Sequence, residues 1–208
     1  MLMLSDTRTA VTSQVHVHLA RHGVHADYGQ VLSGRAGAAP LTVAGRAQAG
    51  QLARWALRHG VGIIHASPRS RTVETAALVA EALGVEAQRS DALDEIDFGA
   101  WNGRAFADLD GDPLWDDWNR QRSVAPTPGG ETMAQAVVRA AAHVASLGQG
   151  GDAALCVTHC DIIRGVIAHY LGLPLDHILR FDIDPGSVST IAFGPDGARV
   201  IRINEVPA

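Results

Sequence analysis

Cysteine is scarce in this 208-residue chain, which has only Cys156 and Cys160. The two thiols stand four residues apart beside His159 and lack the second ligand pair of a zinc site, so they read as reduced thiols. Cys160 follows a candidate catalytic residue and could stand near a pocket, but a buried, inert thiol is the expected reading. A long apolar run is also missing. No stretch reaches the roughly 18 residues that a bilayer span requires, and Met1 to Gln14 turns polar after its first four residues. Neither a membrane segment nor an export signal is expected, and the location expected is cytoplasmic. A basic surplus is absent too. The 17 Lys and Arg residues are scattered among 22 Asp and Glu, for a net charge of -5, which argues against nucleic acid as a partner. There is no internal repeat and no low-complexity tract.

What is present is the material of one globular domain. The length and the 47% hydrophobic content suit a single core. Residues 1–13 are expected to be a flexible segment ahead of a domain over 14–208. Val15 to Ala20 alternates β-branched residues with histidines and predicts a strand ending at Arg21-His22-Gly23. Thr42 supplies an N-cap for a helix to about His59. Gly62 to Ala66 predicts a buried strand, followed by a helix that opens at Ser67-Pro68 and runs to Leu83, where Gly84 stops it. A third strand is expected around Val85 to Gln88. Leu93 to Gly130 holds Trp101, Trp115, Trp118 and a Pro-Thr-Pro-Gly-Gly run, and predicts an irregular, lid-like insertion over 93–130. Met133, Ala136, Val137, Ala140, Val144 and Leu147 share one helical face. Ala153 to Thr158 predicts another buried strand, followed by a helix from about Asp161 to Leu171. Ser187 to Phe193 and Arg199 to Ile203 flank a Pro195-Asp196-Gly197 turn as a hairpin. The fold class expected is α/β: a three-layer sandwich with a mostly parallel central sheet and helices on both faces.

Three of these strands end in reactive residues: Arg21 and His22, then Ser67 to Arg71, then His159. In a parallel sheet the strand ends share one edge, so two arginines and two histidines can meet around a single anion. Arginine's planar fork suits a tetrahedral dianion. Histidine among arginines should lose its proton, which leaves a neutral nucleophilic ring at pH 7. Such a His22 can attack phosphorus, with Arg21, Arg71 and His159 stabilising the equatorial oxygens without a metal. A carboxylic acid beside the phosphate would hold a proton for the leaving oxygen, and Glu95 is the candidate.

The run Leu19-Ala20-Arg21-His22-Gly23 resembles the R-H-G signature of the histidine phosphatase superfamily, the phosphoglycerate mutase-like proteins. Further stretches match in order: Leu32-Ser33-Gly34-Arg35 with Pro40-Leu41-Thr42 and Gly45, then Ser67-Pro68 with Arg71 and Thr75-Ala76. Leu93-Asp94-Glu95 follows with Phe98-Gly99 and Trp101-Asn102-Gly103, then Pro128-Gly129-Gly130-Glu131 and Val157-Thr158-His159 with Ile163-Arg164. The resemblance implies that His22 is the phosphorylated nucleophile, that Arg21 and Arg71 clamp the phosphate, that His159 completes the pocket, and that Glu95 is the proton donor. Arg35 and Glu131 fall in matched stretches and are expected at the pocket rim as substrate contacts, with an equal alternative that an arginine in a Gly-rich loop simply pairs with a carboxylate at the surface. Many members carry a threonine and an asparagine where this chain has His25 and Tyr28, and these two are expected to give substrate contacts in a reshaped pocket. Asn102 replaces a common glutamate of the W-E-G stretch.

The activity expected is hydrolysis of a small phosphate monoester through phosphohistidine, with no cofactor and no metal. The partner expected is that small-molecule ester, with no nucleic acid and no membrane; a homodimer is left open. A phosphoglycerate mutase shares the chemistry, but mutases of the superfamily usually carry longer insertions and a C-terminal tail over the pocket. A non-catalytic phospho-ligand-binding protein and a protein phosphohistidine phosphatase would use the same kind of pocket and stand as rival activities. His16 and His18, with His22 and His25, could suggest a metal hydrolase, but no carboxylate or later histidine set completes a shell. Asp94 and Asp97 are expected to be solvated, with Asp97 as second choice for the proton donor, and Arg69 is expected to be exposed.

Overall fold

A computed structural model describes residues 14–208; the segment 1–13 lies outside the described residues. Eight strands are β1 (Val15–Arg21), β2 (Val31–Leu32), β3 (Ile63–Ala66), β4 (Ala87–Arg89), β5 (Arg104–Ala105), β6 (Ala154–Thr158), β7 (Val188–Gly194) and β8 (Gly197–Glu205). Six helices are α1 (Val43–Arg58), α2 (Ser70–Leu83), α3 (Phe106–Leu109), α4 (Pro113–Arg120), α5 (Met133–Leu147) and α6 (Cys160–Leu171). Six strands form the central sheet in the order β4-β3-β6-β1-β7-β8, while β2 and β5 pair separately. The pairs β4/β3, β3/β6 and β6/β1 are parallel. β7 runs against both β1 and β8, so five of the six strands point the same way.

Side-chain alternation along β1 feeds two cores. Val17 and Leu19 join Cys156 and Ile191 in packing against α5 and α6, through residues such as Met133, Val144, Ile163 and Val166. Ala20 joins Ile64, Leu155 and Val157 in packing against Leu52 and Trp55 of α1 and Ala76 and Val79 of α2. Helices therefore cover both faces of the sheet, as the repeated strand and helix pattern predicts. Each fully buried Leu, Ile or Val contributes about 1.5–3 kcal/mol of transfer free energy.

Local signals set most helix ends. The Thr42 hydroxyl accepts from the Gly45 N–H at 3.1 Å to cap α1, and Thr132 with Gln135 forms a reciprocal capping box on α5. Three expectations shift. α2 begins at Ser70 because Ser67 still extends β3, its N–H bonding the Val157 carbonyl of β6 at 3.0 Å. β4 begins at Ala87 because the Val85 N–H is held by the Ala80 carbonyl at the end of α2. Residues 93–130 are more regular than expected, holding β5, α3 and α4. Asp112 caps α4 by accepting from the Leu114 N–H, and Pro113 sits at its first position. The segment is also a contributor to the larger core, through Leu93, Ile96, Phe98, Trp101, Leu109 and Trp118.

His16 and His18 behave as strand residues. His18 is buried, bonds Thr190 Oγ1 through Nδ1 at 2.9 Å and meets the Trp55 ring edge-on at 4.8 Å. Among the described residues no helix is long and apolar enough to cross a membrane.

Candidate active site

The parallel register brings three strand ends to one level. Arg21 pairs with Thr158, and Ala20 and Ala66 both pair with Val157. The residues that follow, His22, Ser67 and His159, therefore emerge along one edge, and Arg71 reaches the same place from the first turn of α2. The His22 N–H bonds the Thr158 carbonyl at 3.1 Å. The loop after it is pressed onto α1, where a Cβ on Gly45 would stand 2.1 Å from the Val24 carbonyl oxygen and one on Gly23 would stand 2.5 Å from that of Gly45. Only glycine permits this approach. Thr75 of α2 completes the seat by accepting from the Gly23 N–H at 3.2 Å.

Arg71, buried, lies between the two histidines. Its Nε–H donates to His22 Nε2 at 3.2 Å, and one terminal nitrogen donates to His159 Nδ1 at 2.9 Å and to the Gly34 carbonyl at 2.9 Å. The outer nitrogen of each ring has a partner that assigns the tautomer. His22 Nδ1–H donates to the Gly23 carbonyl at 2.9 Å, and His159 Nε2–H donates to Ser67 Oγ at 2.8 Å. Ser67 passes its own proton to Asp94 at 3.2 Å. Both imidazoles thus turn lone pairs toward one guanidinium. Both are held neutral well below the usual histidine range, by burial first and by the Arg71 charge next.

Glu95 stands across from this pair, with Oε2 at 3.5 Å from His159 Nδ1 and 3.8 Å from an Arg71 nitrogen. Burial pushes its carboxyl up to about 7, against the opposing pull of Arg71. Arg21 is anchored by a 2.6 Å bond to the Ile183 carbonyl and lies over the Tyr28 ring at 5.3 Å. The His25 ring is 5.2 Å from that of His22, and burial lowers it to about 4. Arg21 Nε and His25 Nδ1 are both buried without a hydrogen-bond partner among the described residues. A cavity of about 320 Å³ opens here, lined by Arg21, His22, His25, Tyr28, Arg71 and Glu95 among others. His159 is fully buried against Arg71 and does not itself line the cavity.

Arg35 and Glu131 are not brought to this cavity. They pair with each other at 3.0 Å and line a separate hollow with Asp97. Arg35 Nε instead donates to the Glu95 carbonyl at 2.8 Å, and Arg139 also holds Glu131 at 2.7 Å. Their expected place at the rim is corrected for a physical reason: three carboxylates, Asp94, Asp97 and Glu131, surround the Arg35 guanidinium within 4 Å and draw it away. Asp97 also turns away from Glu95, accepting from the Gly99 N–H and Asn102. Asp94 is buried, not solvated, and Arg69 is held against it at 2.8 Å rather than exposed.

Two roles escaped the sequence reading. Ser67, named there only as the start of the run to Arg71 at a strand end, accepts from His159 Nε2–H and fixes the His159 tautomer. Asp161 lines the cavity and is paired with Arg122 at 2.7 Å, and nothing in the sequence links those two positions. Cys160 lines the cavity too, but burial pushes its thiol up to about 11, too high for a thiolate near neutral pH. Among the described residues no group of three or more His, Cys, Asp and Glu side chains is placed to hold a metal ion.

The model of the histidine phosphatase superfamily, branch 1, matches residues 17–206. The chain belongs to that superfamily. It is 34% identical over 161 residues to a bifunctional protein of Mycobacterium tuberculosis, covering 76% of this chain and 43% of that one, so it spans less than half the length of that relative. Phosphoserine phosphatase 1 of Hydrogenobacter thermophilus is 26% identical over 169 residues, covering 79% of this chain and 80% of that one. Among solved structures, a mycobacterial glucosyl-3-phosphoglycerate phosphatase superposes with a TM-score of 0.80 at 22% identity, over 93% of this chain and 100% of that one, a likeness of fold.

Proposed function

We propose that this superfamily member hydrolyses small phosphate monoesters through a phosphohistidine on His22, without metal or cofactor. The observation that carries the reading is the Arg71 guanidinium held between two neutral imidazole lone pairs beside a carboxyl poised near 7. A phosphate dianion entering the cavity takes the N–H groups of Arg71 and Arg21, which releases the His22 Nε2 lone pair for attack on phosphorus. The ester P–O bond breaks as the P–N bond forms, and Glu95 gives its proton to the leaving oxygen. The Nδ1–H bond to the Gly23 carbonyl spreads the positive charge of the phosphorylated ring. Glu95, now ionised, takes a proton from water, whose oxygen displaces His22 from phosphorus and restores both groups.

His25 and Tyr28 contribute at the cavity wall, His25 as a donor to the phosphate and Tyr28 as a support for Arg21. Residues 93–130 cover the site from one side, since Phe98 and Phe106 line it. The protein works as one domain over 14–208 and in the cytoplasm, where Cys156 and Cys160 stay reduced.

Labelled p-nitrophenyl phosphate, quenched during turnover, should leave an acid-labile, alkali-stable phosphoryl group on the protein. His22→Ala should remove both the label and phosphate release. EDTA should leave the rate unchanged and vanadate should inhibit. Turnover by His22→Ala, or a strict metal requirement, would overturn the mechanism.

A further inference from the structure

The charge around the cavity defines the leaving group, given the hydrolase reading above. Arg21 and Arg71 are the lining cations among the described residues, and the phosphate claims both. The other lining groups bring no further arginine: Val31, Leu32, Phe98 and Phe106 are apolar, Glu95 and Asp161 are acidic, and His25, Tyr28 and Ser33 are polar. Four arginines that touch lining residues or their neighbours are already committed. Arg35 is held by Asp94, Asp97 and Glu131, and Arg69 by Asp94 at 2.8 Å. Arg122 faces Asp161 at 2.7 Å, and Arg164 divides between Asp161 at 3.7 Å and Asp182 at 3.2 Å. Arg122 and Arg164 do not line the cavity, whereas the carboxylate they hold does. The full sequence contains no lysine that could swing in.

We propose that the site takes monophosphates whose leaving group is uncharged or cationic with an apolar face, and rejects those bearing a second anionic group. A carboxylate or second phosphate on the substrate would leave water, lie beside the protonated Glu95 and the already paired Asp161, and find no uncommitted cation in the cavity wall among the described residues. An amine or a neutral alcohol meets no such penalty. Phe106, at the mouth and 38% exposed, gives the apolar face a surface to cover.

Matched esters isolate the charge. 3-Phosphoglycerate is compared with its methyl ester, and phosphoserine with phosphoethanolamine, by kcat/KM on the full chain. The member without the carboxylate should be favoured by about tenfold or more, since a carboxylate that leaves water without a paired cation loses at least that factor. Phe106→Arg, which places a free cation at the mouth, should bring the ratio toward one or invert it, and hydrolysis of the neutral member reports that the variant is folded. A wild-type ratio near one or favouring the carboxylate would overturn the selectivity, as would an unchanged ratio in Phe106→Arg. Failure to hydrolyse any monoester, including p-nitrophenyl phosphate, would instead sink the hydrolase reading on which it rests.

Discussion

The proton on Glu95 gives the sharpest test of the mechanism. Its carboxyl is raised to about 7, so about nine-tenths is protonated at pH 6 and about one-tenth at pH 8. If that proton is needed by the leaving oxygen, its loss lowers kcat/KM for an alkyl phosphate about tenfold over this interval, about fivefold net of the roughly twofold gain in substrate dianion, with a slope approaching one decade per pH unit above neutrality. Few other groups in the site can mimic the limb. His22 and His159 lie well below 6.5 and His25 near 4, so all three stay neutral throughout. The substrate's own second ionisation, near 6 for phosphate monoesters, acts in the opposite direction by supplying more dianion as pH rises. Assay of kcat/KM for phosphoethanolamine from pH 5.5 to 9, beside p-nitrophenyl phosphate, separates the two. Glu95→Gln should lower the alkyl ester rate at pH 6 by about 10²–10⁴-fold, the usual worth of a positioned acid. It should erase the limb and affect the aryl ester far less. An alkaline limb that persists in Glu95→Gln, or equal losses on both esters, would refute the assignment.

Stability should respond to pH through the same groups. The buried histidines have depressed pKa values, so their contribution is full above 6.5 and is lost as pH falls; each imidazole that stays neutral down to pH 5 costs about 2 kcal/mol against an unfolded histidine that takes its proton near 6.5. Glu95 has the opposite sign, its contribution being full below its unfolded value and lost as pH rises through about 7. Urea titrations at pH 7 and 5 should therefore show net destabilisation at pH 5, and Glu95→Gln, which removes the opposing effect, should show a larger loss; an equal loss would refute the linkage. Gly45→Ala places its Cβ 2.1 Å from the Val24 carbonyl, so it should cost about 1–3 kcal/mol and lower the melting temperature by several degrees in a thermal scan. Arg35→Ala should also lower the melting temperature while changing the vanadate inhibition constant less than about threefold, because an exposed-side ion-pair hub contributes to stability and its guanidinium does not line the cavity. A tenfold weaker vanadate affinity would return Arg35 to the phosphate site.

The strand and helix pattern was legible because its signals are local. Thr42, Gly84 and Gly172 mark ends of helices that the backbone itself terminates. The convergence of His22, Arg71 and His159 followed from one rule, that parallel strand ends share an edge, and needed no side-chain detail. The misplaced residues lie where direction depends on distant partners. Arg35 sits in a loop, and Asp94, Asp97 and Glu131 decide where it points. Asp94 reads as a surface carboxylate until Ser67 and Arg69 are placed around it. α4 was hidden for another reason: eight residues hold little intrinsic helix stability, and the buried Trp118 supplies the rest.

The hydrogen-bond directions around Arg71 make Glu95 and His159 a single protonic unit. His159 Nδ1 carries a lone pair because the ring proton stays on Nε2, which donates to Ser67 Oγ, and Arg71 satisfies that lone pair in the free protein. When phosphate oxygens draw Arg71 away, the remaining donor within reach of Nδ1 is the protonated Glu95 carboxyl, 3.5 Å distant. On the proposed mechanism the proton that serves the leaving oxygen is then shared between an imidazole and a carboxyl, and the alkaline limb in kcat belongs to the pair. His159→Asn removes the imidazole lone pair and keeps a polar side chain, so the limb in kcat should fall below its wild-type position, because a proton shared by two sites is held more tightly than by Glu95 alone. A limb in kcat that stays where it is in the wild type would mean that His159 only braces the phosphate, and that Glu95 acts alone.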